Sequence, residues 1–262
     1  PLALALAALA GWAWASAAGP AWGRASAGLL LALAVADWSL LAFLPRSGSS
    51  FGPPQPPFLA LSLLRGLLAL LAAAFAPSGP GLAWSLQATG QVALWLLMAY
   101  GSLVEPFRLQ VSRLEVVAPH LANPGGPLRL VQVSDLHVER LTRRERALPG
   151  LVADLEPDLV LLTGDYLNTT YNDDPQALAD LGRLLAQIHA AQGSYAVWGT
   201  PEVDHAHLLR PVVQAAGITL LEDRAVEVRA ARYHLWIMGV NATRDQAADA
   251  DRLGPLVAAA PP

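Results

Sequence analysis

A chain of 262 residues in which 54% of side chains are hydrophobic and only 15% charged is too apolar for one ordinary soluble domain, and its length allows about two. The net charge of −4, with no basic stripe, argues against a nucleic-acid surface. Cysteine is absent, which excludes a disulfide framework and thiolate chemistry. Lysine is absent too, a compositional bias beside abundant Ala, Leu, Arg and Pro.

Charge is unevenly placed. Before residue 104 the only formally charged side chains are Arg24, Asp37, Arg46 and Arg65, so the sequence predicts a transmembrane region over 1–103 and a globular domain over 104–262. Four apolar stretches, about 1–18, 28–45, 58–77 and 83–103, approach the ~20 residues that cross a ~30 Å hydrocarbon core. Turn-rich pieces at 45–57 and 77–81 separate the last three. Six of the eight tryptophans lie in this half, several near segment ends, as an interfacial belt requires. The expectation is an α-helical bundle of about four membrane spans, with membrane lipids as partners. The first stretch, LALALAALAGWAWASAAG, also reads as the apolar part of a signal peptide. With four spans, Arg46, Arg108 and Arg113 share one side against Arg24 on the other, which favours a cytoplasmic C-terminal domain. Asp37 and Arg65 fall near the middle of the second and third spans, where ionisable groups are costly unless paired. A structural ion pair is expected there, with a polar headgroup site as the alternative.

From residue 108 strands and helices alternate. LQVSRLEVV (109–117) has the period of a half-buried strand, followed by a turn-rich link, ANPGGP, and a second strand, LRLVQVS. Residues 142–155 read as a helix that Pro149 should break or kink. DLVLLTGD (158–165) reads as a buried strand, 175–191 as a helix and SYAVWG (194–199) as the next strand. PVVQAAG (211–217) reads as a short helix with Pro211 in its first turn and Gly217 as its stop, before three further strands, ITLL, AVEVRA and YHLWIMGV. This alternation predicts an α/β core with layered sheets.

Three strands end in chemically pointed residues: SDLH, TGD and GTPE. Loops at the carboxyl ends of strands converge in open α/β sheets, so Asp135, His137 and Asp165 should meet at one edge. Two carboxylates and an imidazole suit divalent Mn, Fe, Zn or similar ions, and a carboxylate such as Asp165 is able to bridge two of them.

The order D-x-H, a strand ending in GD, then a strand ending in a G-N-H-D/E-like motif resembles the calcineurin-like metallophosphoesterases, specifically their membrane-anchored bacterial branch. The resemblance covers about residues 108 to 245. It implies two facing β-sheets flanked by helices, two divalent metal ions, and in-line hydrolysis of a phosphate ester by a metal-bound hydroxide. By resemblance, Asp135 and His137 would bind the first metal and Asp165 would bridge both.

Two departures stand out. Where the family has Gly-Asn-His-Asp/Glu, this chain has Gly199-Thr200-Pro201-Glu202. Thr200 offers a hydroxyl instead of an amide carbonyl, and Pro201 has no proton to donate. Thr200 and Glu202 are candidate second-metal or loop contacts, and His205 or His207 are alternative ligands or acids, against a plain reading as a solvated helix start. The family's later histidine motif, Gly-His-x-His, does not occur before Pro262, and the text begins at Pro1, so the expectation is a fragment whose remaining ligands lie beyond it. The leading functional reading is a membrane-anchored hydrolase of a phosphodiester or pyrophosphate, with a phosphate-ester and plausibly lipid-linked substrate. The alternative is a catalytically impaired binding or regulatory module of the same fold.

Overall fold

The computed structural model describes residues 1–47, 52–117, 127–230 and 233–259. The chain divides into two compact units, Pro1–Arg108 and Leu109–Pro262. The division falls after Arg108, a little beyond the expected boundary. A short turn, Glu105–Phe107, stays with the last apolar helix, and Arg108 Nη1 donates to Tyr100 Oη (2.8 Å) and Glu105 Oε2 (3.2 Å) on it.

The first unit is four apolar helices: α1 (Leu2–Ala18), α2 (Pro20–Phe43), α3 (Gln55–Phe75) and α4 (Pro80–Leu103). With their terminal turns, the segments Pro20–Arg46, Gln55–Ser78 and Pro80–Phe107 are long and apolar enough to cross a membrane, while Leu2–Ala18 is shorter at 17 residues. Their outer faces are apolar. Leu63, Leu67, Leu71 and Phe75 of α3 stand exposed one helical turn apart, as a lipid-facing stripe would. The interior combines apolar clusters around Ala10 and Trp14 with a buried polar network. Arg65 on α3 donates Nε to Asp37 Oδ2 (2.9 Å) and Nη2 to Asp37 Oδ1 (3.1 Å) on α2, a bidentate fork. Its Nη1 donates to both the backbone and side-chain oxygens of Gln91 on α4 at 2.9 Å, and Gln91 Nε2 returns a bond to Arg65 O. Asp37 and Arg65 are each 2% exposed. The structural ion pair is therefore present, with a third member, Gln91, that hydropathy alone does not single out.

In the second unit β1 (Leu130–Val133), β2 (Leu159–Leu162), β3 (Ser194–Ala196) and β4 (Thr219–Leu220) form one parallel sheet in chain order. Helices α5 (Arg143–Asp154), α6 (Pro175–Leu185) and α7 (Ala206–Ala215) make the crossovers. Val160, Leu162, Ala196 and Leu220 pack with Leu148, Val152, Leu181, Leu184, Leu209 and Val213 in the main core, so all three helices cover one face. The opposite face meets the antiparallel pair β5 (Arg224–Ala230) and β6 (Tyr233–Gly239), through Leu159 and Tyr195 against Val226, Val228, Leu235 and Ile237. The fold is α/β, with a helix-flanked parallel sheet facing a second small sheet.

Several expectations need correction. Residues 109–117 join no strand; Leu114, Val116 and Val117 are 88%, 74% and 82% exposed, because period-two alternation without a partner ladder leaves the backbone unpaired. Most of the ANPGGP link and the middle of the 45–57 connection lie outside the described residues. Pro149 does not break α5: it removes one bond, to the Glu145 carbonyl, from a helix started by a Thr142–Glu145 capping box and anchored by buried Leu148 and Val152. Helix α6 stops at Leu185, although Ile188 stays buried beyond it. Helix α7 begins at Ala206, leaving Pro211 inside it, because Leu209 as well as Val213 faces the core. A last helix, α8 (Gln246–Ala259), was not anticipated; Asp245 Oδ1 accepts from Ala247 N and Ala248 N at its start.

The buried fork makes a checkable prediction. Asp37→Leu strands the Arg65 guanidinium and should destabilise the helical unit by about 3–5 kcal/mol, whereas adding Arg65→Leu should recover most of that loss. Denaturant unfolding of the detergent-solubilised protein measures both; a double variant no more stable than the single one would contradict the pairing.

Candidate metal centre

The parallel register carries the site. Val133 lies opposite Leu162, and Leu162 opposite Ala196, so β1, β2 and β3 end at one level. Pairing then continues past the strands: Thr163 N donates to Val133 O (3.0 Å), Asp135 N to Gly164 O (3.2 Å), His137 N to Asp165 O (2.9 Å) and Val138 N to Tyr166 O (2.9 Å). These main-chain bonds hold the Asp135–His137 and Asp165 loops side by side, which is how the two side chains of the Asp-x-His spacing meet that of Asp165.

His137 Nε2 lies 3.8 Å from Asp135 Oδ1 and 3.7 Å from Asp165 Oδ2. One ligand atom from each of the three residues lies within 4.8 Å of the other two. Ligand bonds of about 2.0–2.2 Å would span the two shorter spacings, and one imidazole with two carboxylates is a donor set that suits a divalent transition ion. The residues fit a metal. The Asp135 side chain is 67% exposed, against 28% for His137 and 18% for Asp165, so the group opens to solvent on the Asp135 side.

All three have backbone φ in the left-handed region: 54° at Asp135, 43° at His137 and 55° at Asp165. They are three of the five non-glycine residues in that region among those described. Each costs on the order of 1 kcal/mol, and such conformations persist where surroundings over-determine them, which happens disproportionately at functional sites.

Two contacts hold the Asp135–His137 and Asp165 loops. Arg144, in the first turn of α5, donates Nη2 to the carbonyl of Leu136, between Asp135 and His137, at 2.6 Å. Asp204 is 4% exposed; its Oδ2 accepts from Asp165 N (2.8 Å) and Gly199 N (2.6 Å), and its Oδ1 from Tyr166 N (2.9 Å). Burial raises the Asp204 carboxyl above the usual carboxylate range, the three amides oppose that rise, and the nearby Asp165 charge adds to it. Tyr166, buried and T-stacked on Trp198 with ring centroids 6.0 Å apart, has its phenol pushed up by burial and donates to Val197 O (2.9 Å). Gly164 and Gly199 allow the close approach of the second and third strand ends. A Cβ on Gly199 would lie 2.5 Å from Asp165 Oδ1, and one on Gly164 would lie 2.2 Å from Gly199 N.

Of the remaining candidates, Thr200 is at the site but holds Asp165: its N–H donates to Oδ1 (2.7 Å) and its hydroxyl to Oδ2 (3.3 Å). Glu202 lies apart from the cluster, its Oε1 2.7 Å from Arg244 Nη2. His205 precedes α7 without a side-chain capping bond and stacks on His207 with ring centroids 6.0 Å apart, and His234 pairs with Glu227 across the β5–β6 hairpin; none of them joins the three-residue group. Sequence reasoning missed Asp204 and Arg144. The only sequence signal for Asp204 was a second acidic residue shortly after GTPE, and Arg144 is one of three arginines in RRER.

Residues 128–203 match the family model for the calcineurin-like phosphoesterases. The chain is 30% identical over 119 residues to the metallophosphoesterase YkoQ of Bacillus subtilis (strain 168), covering 44% of this chain and 43% of that protein. It is 29% identical over 106 residues to the UDP-2,3-diacylglucosamine pyrophosphatase LpxG of Chlamydia trachomatis serovar D, covering 40% of this chain and 31% of that one. The matched stretch is thus less than half the length of either relative. No solved structure matches. Residues 128–203, where parallel strand ends gather Asp135, His137 and Asp165, are thus similar in sequence and in site to the calcineurin-like phosphoesterases.

Proposed function

We propose that this chain is a membrane-anchored, metal-dependent phosphoesterase that cleaves a phosphodiester or pyrophosphate bond in a lipid-linked substrate. The observation that carries the reading is the convergence of Asp135, His137 and Asp165 within 4.8 Å at the carboxyl ends of adjacent parallel strands. Those three side chains would hold a divalent ion, with Asp165 the carboxylate shared if a second ion is bound. The ion would supply Lewis acidity toward the phosphoryl oxygens and lower the pKa of water. The protein's own part is orientation. Thr200 fixes both Asp165 oxygens, and Arg144 fixes the turn that presents Asp135 and His137. The exposed Asp135 side leaves room for the phosphate.

A lipid-linked substrate is supported by three apolar helices of membrane-crossing length on the same chain, and by a relative named for a pyrophosphatase of a diacylated sugar nucleotide. A pyrophosphate also suits Pro201. A phosphate leaving group departs as an anion without a proton, whereas an alkoxide needs a general acid, and proline offers none. A second reading follows from the same loop: Thr200 and Pro201 stand where the resemblance expects Asn and His, as a binding module that has lost catalysis would have them.

The test is turnover of an activated aryl phosphodiester and of UDP-2,3-diacylglucosamine by the purified protein in detergent with manganese. Chelation should abolish activity, and Asp165→Asn should lower kcat by on the order of 10²-fold or more. Wild-type protein without turnover, and unchanged by Asp165→Asn, would sink the enzyme reading. The binding-module reading makes the opposite forecast for the third strand end: little activity in the wild type, and a rise on combining Thr200→Asn with Pro201→His.

A further inference from the structure

A buried carboxylate is costly unless it is paired, and Asp204 has no cation within ion-pair distance among the described residues. Its partners are three backbone amides, drawn from two strand-end loops that are distant in sequence: Asp165 and Tyr166 after β2, Gly199 after β3. The chain reaches this position by a tight turn. Val203 N and Asp204 N both donate to Thr200 O at 2.8 Å, with Pro201 at the second position, where its fixed φ favours such a turn. The turn folds Asp204 back beneath the residues it follows.

We infer that Asp204 is a positioning residue for the metal centre, setting the direction in which the Asp165 carboxylate leaves the backbone without itself touching metal or substrate. Two routes lead from Asp204 to Asp165. Directly, it pins the Asp165 N–H while His137 N pins the Asp165 carbonyl, and these two bonds fix the peptides on either side of a residue held at φ 55°. Relaxing Asp165 to an extended conformation would swing its N–H off Asp204. Indirectly, it holds Gly199 N, which sets the next residue, Thr200, to donate its own N–H to Asp165 Oδ1. One carboxylate therefore constrains both the main chain and the side chain of the ligand. Glu202, the acidic residue that sequence position alone favours, does neither.

The inference rests on the metal-binding reading of Asp135, His137 and Asp165. Its test is the affinity of the full chain in detergent for Mn2+, read by titration calorimetry and by the Mn2+ electron paramagnetic resonance spectrum, well below the unfolding temperature. In Asp204→Asn the amide presents one acceptor and one NH2 group, so at least one of the three backbone donors faces a donor. The folded variant should bind Mn2+ about 10- to 100-fold more weakly, with an altered spectrum. Asp204→Glu, which keeps charge and both acceptors on a longer stem, should recover part of the loss. A folded Asp204→Asn protein with wild-type affinity and spectrum would overturn the inference and leave the metal centre standing. Wild-type protein that binds no Mn2+ would overturn both. If Asp204→Asn fails to fold, Asp204→Glu is read in the same way, and failure of both to fold would assign Asp204 to the fold alone and overturn its positioning role.

Discussion

The parallel pairing of β1, β2 and β3 ends at a common level, and almost everything chemical in the chain follows from that register. Val133, Leu162 and Ala196 are the last paired residues of three strands, and each strand is followed by a loop carrying one part of the centre. A slip of one residue in any strand would send its alternating side chains to the opposite face. Asp135 and Asp165 would then no longer approach His137 together. The apolar packing that fixes the register is therefore also what fixes the geometry of polar groups beyond it. Val160 and Leu162 face the helices and Leu159 faces the hairpin, so β2 is clamped from both sides.

Past the strand ends, hydrophobic packing gives way to hydrogen bonding. The three candidate ligands adopt a backbone conformation that no L-residue favours on its own. They are kept there by a ladder of main-chain bonds that outlasts the strands, by Arg144, which joins Glu145 to the Leu136 carbonyl, and by Asp204, whose partners are main-chain amides. A charged group satisfied by backbone dipoles is insensitive to neighbouring side-chain substitutions, which suits a support placed behind a site that must present its own charges outward.

What the sequence made legible and what it hid divide along the same line. β-Branched and leucine-rich runs that stop at polar residues marked β1 and β2 and the Asp135, His137 and Asp165 side chains at their ends, because burial and its abrupt end are local properties. Alternation alone misled at 109–117, where the pattern is present but no partner strand is. Pro211 suggested a helix start, yet α7 begins five residues earlier, because the burial of Leu209 outweighs one lost backbone bond. Glu202 and Asp204 are two acidic side chains two positions apart, and nothing local separates them. Only the turn from Thr200 to Asp204 decides that one is buried against backbone amides while the other reaches Arg244. The partners of Asp37 and Arg65 were legible as a pair by elimination of other charges, whereas Gln91 was hidden because glutamine is common and its role is set by helix packing.

The Asp37–Arg65–Gln91 network bears on how such a helical unit is made. Asp37 and Arg65 sit on consecutive helices α2 and α3, joined by a short connection, while Gln91 belongs to α4. For a bundle entering a bilayer, each charge alone costs about 2.5–3.5 kcal/mol at mid-depth on insertion scales, and that cost falls once the two are forked together. In such a bilayer the fork would favour α2 and α3 entering together as one hairpin over either entering alone. Gln91 on α4 would then complete the network, joining the third helix to the paired charges through its hydrogen bonds with Arg65.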